Sequence, residues 1–147
     1  MESDQTKNSL KLEYDVLKDD FSRAGEASSN IKKILRQLGI DASVIRRVAI
    51  VTYESEMNIV IHSNGGKMIV NICPELISIT AQDEGPGIEN IDLAMQEGYS
   101  TASNRVRELG FGAGMGLPNI RNHSDEFTIK SEKGASTVLN IIIYIKE

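Results

Sequence analysis

Residues 54–87, ESEMNIVIHSNGGKMIVNICPELISITAQDEGPG, decide the fold. Their first part continues an apolar period of three to four that runs through Val44, Val48, Val51, Ser55 and Ile59, which is the pattern of a helix. Asn64-Gly65-Gly66 stops that helix just after His62. Two runs rich in Ile and Val follow, Lys67 to Cys73 and Leu76 to Gln82, and they read as strands joined by a turn at Pro74-Glu75. The second strand feeds Asp83-Glu84-Gly85-Pro86-Gly87, which can only be a loop.

Working outward, Asp41 or Ser43 is a good N-cap for this helix. A preceding helix is expected from Phe21 to Leu38, with Ala24, Ala27, Ile31, Ile34, Leu35 and Leu38 at helical spacing and Gly39 as the stop. Leu12, Tyr14 and Val16 alternate with polar residues and predict a first strand, while residues 1–9 read as frayed. Downstream, Asn90 caps a short helix from Ile91 to Gln96. Glu97 to Gly116 holds five glycines and no clear period, so it reads as a long mobile loop, of a length that is usually a functional lid or disordered. Leu117 to about Ser124 is a helix with Pro118 in its first turn. Glu126 to Ser131 and Thr137 to Ile145 form a hairpin around Lys133-Gly134. The order β-α-α-β-β-loop-α-β-β predicts one α+β domain over 1–147, a two-layer α/β sandwich rather than a repeated βαβ fold.

The bulk composition excludes several classes. The 147 residues carry a net charge of -5 without long acidic or basic runs, so nothing marks a nucleic-acid or anionic-membrane surface. One cysteine allows no disulfide framework, and two histidines allow no zinc constellation. Cys73 reads as a small buried hydrophobe. The N-terminal MESDQTKNSLK is unlike a signal peptide and no apolar run reaches about 18 residues, so a cytoplasmic location is expected.

Three groups of residues carry chemistry. Glu54 and Asn58 lie four apart on one helix face, and His62 continues the line. An amide oxygen there can ligate a hard cation, and the carboxylate can orient or deprotonate a nucleophile; the same pair also suits an ordinary solvated face. Glu56 is a rival base by type, but it points about 160° around the helix from Asn58. Asp83-x-Gly85-x-Gly87 ends a strand, where the carboxylate can accept from an adenine amine and Gly87 lets a flat base approach; it also suits a plain turn. Gly110-Phe-Gly112-Ala-Gly114-Met-Gly116-Leu-Pro enters a helix, offering backbone N–H groups to phosphates. It lacks the Gly-Lys-Ser/Thr of a Walker A loop and the spacing of the dinucleotide fingerprint. His62 reads as a packed or capping residue at its helix end, and His123 as lying on the exposed side of the last helix.

In this order and spacing, from about Arg46 onward, the three groups resemble the GHKL (Bergerat-fold) ATPases. The resemblance implies a sandwich whose mixed sheet has helices on one face, with ATP and Mg2+ held under a lid. It implies Glu54 as general base, Asn58 as magnesium ligand and Asp83 as the adenine-binding aspartate, with Gly85 and Gly87 completing its box. Gly110, Gly112, Gly114, Met115, Gly116 and Leu117 match the phosphate-binding run, and Thr137 an adenine-side contact. DEGPGIENIDLAMQEGYSTAS (83–103) and GFGAGMGLPNIRNHSDEF (110–127) are similar to the switch kinases related to bacterial anti-sigma regulatory factors. That likeness implies a serine/threonine kinase acting on a STAS-domain partner, with a sigma factor as a further candidate partner. The alternative it implies is an anti-sigma factor or ATP-gated binding module with little phosphoryl transfer. Either is compatible with a monomer or a homodimer. Three positions depart from the pattern. Gly112-Ala113 replaces the arginine that anti-sigma kinases often place before the last lid glycines, leaving Arg105 or Arg107 to supply charge; the usual Gly-Thr is stretched to Gly134-Ala-Ser-Thr137; and Tyr53 precedes Glu54 where a small residue is usual.

Overall fold

The computed structural model describes residues 9–85, 87, 91, 95–96, 116–131 and 134–145. Strand β1 (Leu10–Val16) is followed by helices α1 (Glu26–Gln37) and α2 (Ala42–His62), then strands β2 (Gly66–Ile72) and β3 (Leu76–Asp83). Helix α3 (Gly116–Asn122) precedes β4 (Glu126–Ser131) and β5 (Thr137–Tyr144). The strands form one sheet in the order β1-β2-β3-β5-β4.

The α+β two-layer arrangement matches the expectation, but the sheet is antiparallel throughout the described residues rather than mixed. The reason lies in the connections. Two helices separate β1 from β2, so the chain returns with its direction inverted, and short turns join β2 to β3 and β4 to β5. The crossover β3–α3–β4 does bring two strands into the same direction, but β5 lies between them and pairs with both.

Period-two alternation sets the sheet's register. Met68, Val70 and Ile72 on β2, Ile77, Ile79 and Ala81 on β3, and Leu139, Ile141 and Ile143 on β5 are buried on one face. Val70 lies opposite Ile79, and Ile79 opposite Ile141. A slip of one residue would turn this whole row outward, which holds the pairing in place. Helix α2 packs on this face and also contacts α1 and α3. It is buried on several sides, through Val44, Val48, Val51, Met57, Ile59 and Val60. It therefore acts as the central strut on which both other helices rest.

The helix ends differ in detail from expectation. Helix α1 starts at Glu26, not Phe21, because Asp19 and Gly25 take positive φ (56° and 96°) and Asp19 N–H is tied to Val60 O at 3.0 Å. Gly39 (φ 74°) ends the α1 turn as expected. Asp41, rather than Ser43, is the N-cap of α2: its carboxylate accepts from Ser43 N–H at 3.1 Å, and the Ser43 hydroxyl joins it. Cys73 lies just past the end of β2 and is half-buried rather than fully buried, because its N–H closes the turn onto Leu76 O at 2.9 Å. The expected 91–96 helix falls mostly outside the described residues; Met95 N–H to Ile91 O at 3.0 Å is one helical bond there. No described helix is long and apolar enough to cross a membrane.

Candidate active site

One cluster of the expected residues is built on Asp83, the last residue of β3. Its Oδ1 accepts from Gly85 N–H at 2.9 Å and from Thr137 N–H at 2.8 Å. Oδ2 has no hydrogen-bond partner among the described residues, so the fold uses one oxygen of the carboxylate there. The turn beyond it is held from the α2–β2 loop, where Asn64 N–H bonds Gly85 O at 2.8 Å and Glu84 N–H bonds Gly65 O at 2.9 Å. Gly66 pairs with Asp83 so closely that a Cβ on it would sit 2.2 Å from Gln82 O. Gly85 and Gly87 both take positive φ (96° and 86°), a conformation natural to glycine. Thr137 joins this corner through its backbone N–H, while its hydroxyl is shared with Ser131 at 2.6 Å.

A second cluster lies on the face of α2 that receives α3. A Cβ added to Gly116 would lie 3.2 Å from Asn58 Oδ1, so the glycine lets the chain pass close over the amide. Asn119 Nδ2 donates to Glu54 Oε2 at 2.8 Å. Arg47 Nε donates to His123 O at 3.1 Å, and its guanidinium pairs with Asp125 at 3.0 Å. Burial works against an ionised Asp125, yet the Tyr144 N–H and Arg47 outweigh it and hold its pKa below the usual carboxylate range. Asn58, Glu54 and Arg47 thus meet Gly116, Asn119 and His123 in reverse order, a register that runs α3 antiparallel to α2. Leu117, Pro118 and Ile120 are buried and anchor α3 in the core. Leu117 therefore has only its backbone to offer a ligand.

Glu56 takes no part in this face. It is 3% exposed, and its two carboxylate oxygens accept from Ala27 N–H (3.3 Å) and Ser28 N–H (3.2 Å) at the start of α1. Gly25 has no side chain to cap α1, so the carboxylate from α2 does it. Burial raises the Glu56 pKa above the usual range, against the opposing pull of these N–H groups. His62 ends α2 as expected, and burial lowers its pKa. His123 is not on the exposed side of its helix: it is half-buried just past α3, with Nδ1 2.8 Å from Asn119 O. Tyr53 is exposed and lies against Gly25. From Tyr53 and Glu54 an open groove runs between α1 and α2, bordered by Lys32, Arg36 and Arg46.

Of the residues expected from sequence, Glu54, Asn58 and Gly116 lie in one cluster, and Asp83, Gly85 and Thr137 in another. Gly110, Gly112, Gly114 and Met115, with Arg105 and Arg107, lie outside the described residues. Asn119 and Arg47 were not singled out from the sequence. No local signal marks them, because their roles depend on how two distant helices register.

Comparisons with known proteins bear on the whole chain. No protein-family model matches the chain. The serine/threonine-protein kinase RsbT of Bacillus subtilis is 26% identical over 148 residues, covering 98% of this chain and 99% of that protein. An anti-sigma F factor of Clostridium perfringens is 26% identical over 136 residues, 88% of this chain and 91% of its own length. The crystal structure of the SiaB–SiaC complex from Pseudomonas aeruginosa superposes with a TM-score of 0.62 at 17% identity, over 94% of this chain and 91% of that chain, and shares the fold. Along nearly its whole length the chain is similar to a small kinase and to anti-sigma factors, in line with the GHKL-type resemblance of its motifs.

Proposed function

We propose that this chain is an ATP- and magnesium-dependent serine/threonine protein kinase of a partner-switching pathway, acting on a STAS-domain protein. The observation that carries the reading is the shared face of α2, where Glu54 and Asn58 lie under the first turns of α3. The name of the B. subtilis relative supports the kinase class.

The residues present suit both ligands. Asp83 Oδ2, which has no partner among the described residues, could accept from the adenine amine, and its turn is held by bonds to Gly85, Thr137, Asn64 and Gly65. Asn58 Oδ1 offers a neutral oxygen of the kind magnesium accepts, and Gly116 puts no side chain against it. Among the described residues no group of three His, Cys, Asp or Glu could hold a metal, so Asn58 would share the ion with phosphate oxygens. When bound, magnesium neutralises phosphate charge. The acceptor hydroxyl oxygen forms a bond to the γ-phosphorus as the bond to the bridging β–γ oxygen breaks; ADP leaves, and Glu54 takes the hydroxyl proton.

The test is transfer of label from γ-labelled ATP to a serine or threonine of a STAS-domain partner, with complex formation followed separately. Glu54→Ala should lower transfer by about 10²- to 10⁴-fold and leave ATP affinity nearly unchanged. Asp83→Asn should weaken ATP binding itself. Full partner phosphorylation by Glu54→Ala would sink the assignment of the base. The anti-sigma names among the relatives favour a second reading, ATP-gated binding without chemistry. Nucleotide-dependent complex formation with no label on the partner would select it.

A further inference from the structure

The α2–α3 register has a consequence for the reaction. A glutamate on a helix has several staggered rotamers, and a proton acceptor works only from those that aim an oxygen at the substrate. Glu54 is half-buried, and one of its oxygens receives the Asn119 side chain at 2.8 Å. The donor must be Nδ2, since an ionised carboxylate only accepts. From this geometry we infer that Asn119 is a positioning residue for Glu54: it pins Oε2 and leaves Oε1 to take the acceptor's proton. The inference rests on reading Glu54 as the base.

Asn119 is itself held through its backbone carbonyl. Its carbonyl accepts from His123 N–H at 3.2 Å and is met by His123 Nδ1 at 2.8 Å. The His123 carbonyl is in turn held by Arg47 of α2 at 3.1 Å. Pro118 and Ile120, on either side, are buried, so α3 cannot rotate about its axis without exposing them. The amide therefore reaches Glu54 from a fixed platform whose register is set two turns away along α2. Orientation of the base depends on the seating of α3, the helix that the glycine run enters at Gly116.

The experiment uses the full chain, Mg-ATP and the same STAS-domain acceptor, comparing Asn119→Ala, Asn119→Asp and Glu54→Ala with the double variant Asn119→Ala/Glu54→Ala. Removing the donor should lower kcat about tenfold to a hundredfold, with ATP affinity and the acceptor KM within about twofold of the parent. Asn119→Asp keeps the side-chain shape but presents an acceptor to Glu54, so it should lose at least as much as alanine. In the Glu54→Ala background the alanine substitution should cost nothing further, because the two groups act as one unit. A wild-type kcat for Asn119→Asp beside an impaired Glu54→Ala overturns the positioning role alone. An equal loss from Asn119→Ala in both backgrounds overturns it too, since packing would explain that result. Full transfer by Glu54→Ala overturns the reading of Glu54 and the positioning role with it.

Discussion

Glu54 and Glu56 are two residues apart on one helix, carry the same carboxyl group and lie in different surroundings. Glu54 faces α3, half-buried, with Asn119 on one oxygen. Glu56 faces α1, nearly sealed from solvent, with both oxygens taken up by the N–H groups that open that helix. On one face of α2 the carboxylate has one oxygen with no hydrogen-bond partner among the described residues. On the other it completes the backbone hydrogen bonding of a helix whose own cap position is glycine. Residue type says little about the role of an acid on a central helix; what decides is how many of its acceptor sites the fold consumes.

The contrast can be broken most sharply by exchanging the losses. Glu54→Ala should remove about 3–5 kcal/mol of transition-state stabilisation, the equivalent of its expected loss in rate. Its unfolding free energy should change by under about 1 kcal/mol, the worth of one partly exposed hydrogen bond. Glu56→Ala should do the reverse. It strands buried N–H groups at the start of α1, so denaturant unfolding should show a loss of about 1–3 kcal/mol. The folded fraction should still transfer phosphate. A Glu56→Ala protein with full stability and no activity would reverse the assignment of the two faces.

The smallest expected effect is a pH dependence. Burial raises the Glu56 pKa above its unfolded value of 4.5. A carboxyl shifted upward on folding contributes stability that is fully present below the unfolded pKa and is lost as pH rises through the folded one. His62 runs the other way: burial lowers its pKa from 6.5, so its contribution is present above that value and fades as pH falls through the folded one. The two partly offset each other on acidification from neutrality. Glu56→Gln cannot titrate, so between pH 7 and pH 5 it should lose more stability than the parent chain. Urea midpoints at the two pH values measure this, and parallel slopes would show that Glu56 does not titrate differently in the folded state.

Much of the site could be read from the sequence because its signals are local. Glu54 and Asn58 share a face by helix geometry, and the same geometry turns Glu56 away. Asp83 at a strand end, followed by Gly85 and Gly87, marks a turn that needs positive φ, and both glycines have it. The start of α1 is not legible in the period, because Ala24 fits the helical spacing while Asp19 and Gly25 divert the backbone. The half-buried place of His123 is not legible locally, because its ring meets the Asn119 carbonyl of the preceding turn and its own carbonyl is held by Arg47 of α2.

The order of elements, the inward row of each strand, the helix stops at Gly39 and Asn64-Gly65, and the two clusters at Glu54/Asn58 and Asp83 follow from residues adjacent in the chain. Periodicity and turn chemistry act over a few residues, so the sequence by itself determines them. The antiparallel sheet with β5 between β3 and β4, the capping of α1 by Glu56, and the meeting of Asn119 with Glu54 across 65 positions are decided only by the tertiary structure. Each of these depends on how separate elements pack and register, which no short stretch of chain encodes.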